Sequence, residues 1–255
     1  MKEEFEEFDR LLSIMDELRT KCPWDSEQTI ESLRTLTIEE CYELTDAILN
    51  RDMKGIMEEL GDLMLHLVFY AKIGSETGDF NISDVLKSVN KKLIFRHPHI
   101  FGDVKVKNSE EVKKNWENLK LEEGKKSVLG GIPDSLPALI KAYRIQDKAR
   151  GVGFDWEEKS QVWGKVTEEI EEFKTELVNN DKKKAEEEFG DVIFALINAA
   201  RLYDINPENA LEKTNKKFIK RFNYIEQTVS NRGLSISDMS LKEMDSIWDE
   251  AKNQD

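Results

Sequence analysis

The 255-residue chain has little of what marks several protein classes. Only two cysteines are present, Cys22 and Cys41, too few for a disulfide framework and without metal-ligand spacing, so both are expected to be reduced and buried. No apolar run approaches the roughly 20 residues that span a bilayer, and Met1 to Phe8 is acidic where a signal peptide carries a basic and then an apolar stretch. A cytoplasmic location without a membrane partner is expected. Five prolines and thirteen glycines leave few breakers among many Glu, Lys, Leu and Ile, which favours helices. Apolar alternation at period two is nowhere sustained. Positive charge is also short. Lys and Arg number 38 against 52 Asp and Glu, a net −14, which opposes a polyphosphate backbone and argues against nucleic acid as a partner. A small anion held through a metal is compatible with that balance.

What the chain does have is the same unit twice. Glu39, Glu40, Glu43, Glu59 and Asp62, shifted by 129 positions, fall on Glu168, Glu169, Glu172, Glu188 and Asp191. Asn90-Lys91-Lys92 with Arg96 recurs at a shift of 125 as Asn215-Lys216-Lys217 with Arg221, and Trp116 recurs at 132 as Trp248. Internal repetition of this kind is read before any single motif. Gly130-Gly131-Ile132-Pro133 and Pro137 break the helical pattern between the copies. The expected domains are therefore 1–123 and 138–255, with a linker at 124–137. Apolar residues recur every three or four positions through 5–18, 30–50, 54–74 and 83–96, and again through 158–178, 183–203 and 207–229. Asn206-Pro207 supplies a cap and a first-turn residue for the last of these. The expected fold class is all-α, two tandem helical repeats. Asn108 to Lys120 reads as a charged surface helix leading into a loop at Glu122 to Lys126.

The acids occupy positions where apolar residues are expected. One seam runs Leu33, Leu36, Glu40, Glu43, Leu44 and Ala47, and its copy runs Val162, Val166, Glu169, Glu172, Phe173 and Leu177. A carboxylate removed from water is costly unless paired or bound to metal, and two side by side also repel. Glu39 lies within about a quarter turn of Glu40 and Glu43. Glu59 and Asp62 form a second pair on the next helix. Two adjacent antiparallel helices thus bring four carboxylates together, an oxygen-only set suited to Mg²⁺ or Mn²⁺ and ill suited to zinc. A single Glu pair in so acidic a chain usually lines a solvated face; both pairs recurring at identical separation argue for a site. A di-iron carboxylate bundle needs Glu-x-x-His, which is absent.

Lys92 with Arg96, and Lys217 with Arg221, form cationic pairs one turn apart that suit phosphate oxygens. A carboxylate-bound metal beside a cationic pair is what a nucleoside polyphosphate requires. His97-Pro98-His99 has no histidines in the second copy and does not make a zinc site. His66 has Ala195 as its counterpart, so a core or ligand-supporting role is expected. Gly124-Lys125-Lys126-Ser127 lacks the upstream glycine of a phosphate loop. The aromatic rings of Trp24-Asp25 and Asp155-Trp156 offer base stacking, although helix packing is their commoner use.

The sequence Glu-Glu-x-x-Glu followed by Glu-x-x-Asp, found at Glu39 to Glu43 with Glu59 to Asp62 and again at Glu168 to Glu172 with Glu188 to Asp191, resembles the MazG family of nucleoside triphosphate pyrophosphohydrolases. Cys22-Pro23-Trp24-Asp25, Arg96-His97-Pro98-His99-Ile100-Phe101, Gly131 to Pro137 and Val152-Gly153-Phe154-Asp155-Trp156 are similar to stretches of its two-domain bacterial form. The resemblance implies helical units completed into four-helix cores by homodimerisation. It implies Mg²⁺-dependent cleavage of nucleoside triphosphates between the α and β phosphates and release of a monophosphate and pyrophosphate; the oxygen-only donor set also admits Mn²⁺, and the expected role is nucleotide-pool house-cleaning, with control of a signalling pool as the alternative. It implies metal ligation by Glu40, Glu43, Glu59 and Asp62 and by Glu169, Glu172, Glu188 and Asp191. Lys217 and Arg221, and by repetition Lys92 and Arg96, would meet the triphosphate, with Trp248 near the nucleotide. Glu39 and Glu168 lie on the acid arc outside the four-ligand sets, which makes them the candidates to position or deprotonate the attacking water. His66 and Asp46 replace the second copy's Ala195 and Thr175, so the two sites are not expected to be equally active. The competing reading is a non-catalytic helical dimer scaffold that binds metal or a signalling nucleotide. Acids intact in both copies argue against it.

Overall fold

Apolar spacing selects the inward side of each long helix, and polar caps select where it begins. The computed structural model describes residues 2–108, 111, 112, 115, 116, 119 and 127–253, and among these every regular element is helical. No helix of the described residues is long and apolar enough to cross a membrane. The chain divides into two compact units, Met1–Lys107 and Asn108–Asp255. The break read from sequence, 124–137, lies further along the chain, within the second unit. Residues 120–126, which include the Glu122 to Lys126 loop, lie outside the described residues. Within 108–120, the described residues 111, 112, 115, 116 and 119 are helical.

The first unit contains α1 (Lys2–Lys21), α2 (Pro23–Glu27), α3 (Ile30–Asn50), α4 (Met53–Thr77), α5 (Ile82–Arg96) and α6 (Pro98–Phe101). A capping box starts α3, with the Thr29 side chain accepting from the Ser32 amide and the Ser32 side chain accepting in return. The turn from α3 to α4 is two residues long. Arg51 takes a left-handed conformation at φ 56, and the Asp52 carboxylate caps the next helix by accepting from the Lys54 and Gly55 amides. Such a short turn forces the two helices antiparallel and side by side. Gly78, at φ 77, ends α4, where a side chain would be strained. Met15 of α1, Leu33 of α3, and Val68, Phe69 and Ile73 of α4 form the core. These core residues lie on the far side of Glu40, Glu43, Glu59 and Asp62 from the α3–α4 turn. Arg19 ties the entry loop down: it pairs with Glu76 at 2.6 Å, donates to the carbonyls of Asp25 and Gln28, and lies over the Phe69 ring. The cysteines depart from expectation. Cys41 is exposed and Cys22 half-buried, because Cys41 follows Glu40 on α3 and so turns off the Leu33 side of that helix.

The second unit contains α7 (Ala138–Gly151), α8 (Gln161–Val178), α9 (Lys182–Leu202), α10 (Pro207–Asn231), a 3₁₀ turn (Ile236–Asp238) and α11 (Leu241–Lys252). Its hairpin repeats the turn of the first: Asn180 is left-handed at φ 55 and Asp181 caps α9 through the Lys184 amide. Asn206 caps α10 with Pro207 in the first turn, as the sequence predicts. Val162, Val166, Ala195, Ala199 and Leu202 pack between α8 and α9, and Ile225, Val229 and Ile247 between α10 and α11. Arg201, buried in the unit, forks onto Asp155 and bonds Asn198. Burial pushes the Asp155 carboxyl up, but the Arg201 bonds outweigh it and hold the group below the usual carboxylate range.

Candidate functional site

Residues three or four apart share a side of a helix, so Glu40 and Glu43 project together from α3 toward α4, which supplies Glu59. One oxygen from each of these three lies within 4.8 Å of the others. The second hairpin does the same with Glu169 and Glu172 from α8 and Glu188 from α9, within the same limit. Asp62 and Asp191 stand outside these trios but act on them by charge. Burial raises the Glu40 carboxyl above its ordinary value, and the neighbouring charges of Asp62 and Glu43 raise it further. Glu59 is raised by burial and then by Glu43 and Glu40, and Glu188 by burial and then by Glu172 and Asp191.

Carboxyls pushed upward by burial first and by one another second are groups whose charged forms are poorly compensated. A divalent cation compensates them. Mg²⁺ sits about 2.1 Å from each oxygen, and each trio already has its oxygens within 4.8 Å of one another, so small side-chain rotations bring them onto one ion. Glu59 adds a separate sign: its Oε2 is buried without a hydrogen-bond partner. An all-carboxylate set with an orphaned buried oxygen fits a hard cation and offers zinc none of its preferred nitrogen or sulfur ligands.

The other residues singled out in the sequence fall into three groups. Glu39 is exposed on α3 and adds its charge to Glu40; Glu168 is exposed on α8. Lys92 and Arg96 lie on α5, which packs on α4, and Lys217 and Arg221 lie on α10, which packs on α9. Each cationic pair thus sits on the helix adjoining an acid-bearing one. Arg221 and Trp248 are brought together, the guanidinium 5.5 Å from the ring centroid, and Phe218 packs on the same ring at 5.0 Å.

Three features escaped the sequence reading. Lys165 reaches forward one turn and binds Glu169 at 2.7 Å and Glu168 at 2.9 Å, which raises the lysine above its ordinary value. In the first unit, Thr37 Oγ1 lies 2.9 Å from His66 Nδ1 and 2.7 Å from the Tyr70 hydroxyl. The counterparts of this partly buried trio, Val166, Ala195 and Ala199, are apolar. Arg201 with Asp155 is the third. The available signal was weak in each case: a Lys three or four residues before a Glu is common on any helix surface.

A family model described as the MazG nucleotide pyrophosphohydrolase domain matches this chain twice, at residues 28–101 and 158–225. The chain belongs to the MazG family. Each match spans one acid-bearing hairpin and the cationic helix after it, so the family resemblance and the internal repeat describe the same unit. Among relatives of this MazG chain, the nucleoside triphosphate pyrophosphohydrolase/pyrophosphatase MazG of Thermotoga maritima is 43% identical over 260 residues, covering 100% of this chain and 99% of the relative. The nucleoside triphosphate pyrophosphohydrolase of Escherichia coli K12 is 42% identical, covering 98% of each. A Bacillus subtilis protein, YabN, is 47% identical over 97% of this chain, which spans 52% of that longer protein.

Proposed function

We propose that this chain hydrolyses nucleoside triphosphates between the α and β phosphates, releasing a nucleoside monophosphate and pyrophosphate, and that its carboxylate clusters hold the Mg²⁺ this requires. The observation that carries the reading is the trio of carboxylates assembled twice on the same hairpin, in a family whose relatives at 42–43% identity over the whole chain are named for this activity. A divalent cation bound there neutralises phosphate oxygens. Glu40, Glu43, Glu59 and Asp62, and Glu169, Glu172, Glu188 and Asp191, are the proposed ligands, with Mn²⁺ an acceptable substitute. Lys217 and Arg221, with Lys92 and Arg96 in the other copy, meet the polyphosphate; Arg does so through a planar fork and Lys as a point charge. Trp248, held against Arg221, offers a stacking surface to the nucleotide. Glu39 and Glu168, exposed beside the trios, position the attacking water and take its proton.

The proposed active form is a homodimer. Met53, Met57, Leu60, Met64 and Leu67 recur at four and three positions along α4 and are all exposed, an apolar stripe along one side of the helix. A monomer rarely leaves so long an apolar side in water. A second copy of this chain covers it and completes a four-helix core around the acids. The proposed setting is the cytoplasm, and the proposed role is removal of unwanted nucleotides from the triphosphate pool.

Product identity tests the reaction. Pure protein incubated with Mg²⁺ and a panel of ribo- and deoxynucleoside triphosphates is expected to yield monophosphate and pyrophosphate in equal amounts. A diphosphate with free phosphate would mean attack at the γ phosphorus and reject the assignment. No turnover with metal bound would favour the non-catalytic scaffold.

A further inference from the structure

The two acid clusters share residue types and spacing, yet they differ in what neutralises them. In the second unit the Lys165 ammonium lies 2.7 Å from an oxygen of Glu169 and 2.9 Å from one of Glu168. Glu169 belongs to the metal-competent trio, and its side chain is only 9% exposed. In the first unit the repeat places Leu36 at the position of Lys165, and Leu36 packs into the Met15 and Leu33 core. No salt bridge to Glu40, Glu43 or Glu59 is found among the described residues, and Glu59 Oε2 is left buried without a partner. One cluster therefore carries its own cation, and among the described residues no cation is paired with the other.

We propose that Lys165 is a tethered counter-cation that holds the second cluster together without metal and competes with metal for its carboxylates, so that the first cluster fills with a divalent cation before the second. This rests on the metal-site reading above. The competition follows from geometry. The Lys165 ammonium 2.7 Å from one oxygen of Glu169 draws on the same negative charge that an ion between Glu169, Glu172 and Glu188 would use, so the two cations compete for that carboxylate and the ion gains most when Lys165 swings off it. Its tether allows this, because the lysine side chain is 39% exposed and its four-carbon stem has water to move into. The first cluster has no salt-bridged cation among the described residues to displace; what metal replaces there is the hydrogen bond between Glu40 and Glu59, while it relieves the repulsion of the group. A partly exposed ion pair made to two carboxylates is worth roughly one tenfold step in an equilibrium constant, which sets the size of the expected difference.

The experiment is a Mn²⁺ titration of the full chain by calorimetry, with free ion followed by electron paramagnetic resonance. Wild type is expected to show two classes of site with dissociation constants about tenfold apart. Glu40→Gln/Glu43→Gln removes the tighter class and Glu169→Gln/Glu172→Gln the weaker. Lys165→Met tightens the weaker class about tenfold, so the two classes merge. Lys165→Arg, which keeps the charge, and Lys174→Met, which removes a lysine paired with Glu171 on the same helix, both preserve the split. Circular dichroism confirms that each variant is folded, and Lys165→Gln serves if Met perturbs the helix. Two classes unmoved by Lys165→Met and Lys165→Gln, a merged class in Lys165→Arg, or loss of the tighter class in Glu169→Gln/Glu172→Gln would each overturn the inference while leaving the metal reading intact. Wild type that binds no Mn²⁺ at either cluster would overturn both.

Discussion

His66 shows how one residue separates two copies of a unit. It stands where the second copy has Ala195, buried, with Nδ1 against Thr37 Oγ1. Burial lowers its ring below the ordinary 6.5, and the Asp62 carboxylate offsets this only in part. The sign for stability follows by linkage. In the unfolded chain His66 takes up a proton as pH falls through 6.5, before the folded protein does, so its contribution is fully present above that value and is lost as pH falls through the folded value. The urea midpoint of the metal-free protein is therefore expected to drop between pH 7 and pH 5.5, and the drop should be shallower in His66→Leu. Thr37 still bonds the Leu33 carbonyl and the Tyr70 hydroxyl in that variant, so it is not left unsatisfied. Identical slopes in the two proteins would place the titrating group elsewhere. Nothing in the sequence distinguishes a His that Thr37 holds from one that packs alone, since Thr37 and Tyr70 lie 29 and 33 positions from their partners.

At the scale of the element, the stripe on α4 decides what the hairpin does beyond its own unit. Leu60 and Met64 stand one turn apart and exposed, while Glu59, just before Leu60, lies about 100° around the helix and joins the acids. Leu60→Glu/Met64→Glu puts two charges into the face assigned to the dimer and leaves Leu33, Val68 and Phe69 untouched. Sedimentation is expected to report a dimer for wild type and a monomer for the variant, weakened at least about a hundredfold by two buried charges; an unchanged dimer would move the interface to another surface. The long helices were legible in the sequence because 18 to 25 residues give apolar spacing several turns in which to repeat. The period from 30 to 50 matches α3, and those at 54–74 and 183–203 fall within three residues of α4 and α9. α2 and α6, of five and four residues, have no period to read. The acids were legible because they interrupt that period. Lys165 was not, because it sits at an ordinary surface position and acquires meaning only from the two carboxylates it reaches.

At the scale of the whole molecule, two units made from one plan are kept distinct by their polar interiors: Thr37, His66 and Tyr70 behind the first cluster, and Gln146 and Arg201 buried in the second unit. What they share is a short turn, of two residues in the first and three in the second, that ends in a left-handed residue followed by a capping Asp. That turn has a kinetic consequence. Arms joined so closely meet at short loop-closure cost, so each hairpin is the part of its unit expected to form first. Its arms carry the acids, which means like charges are driven together at the folding barrier instead of after it. A divalent cation present during refolding should then speed the folding limb of the chevron, with the unfolding limb changing less. Stopped-flow refolding from urea with and without Mn²⁺ measures both limbs, and a metal effect confined to unfolding would show that the acids converge only once the barrier has been crossed.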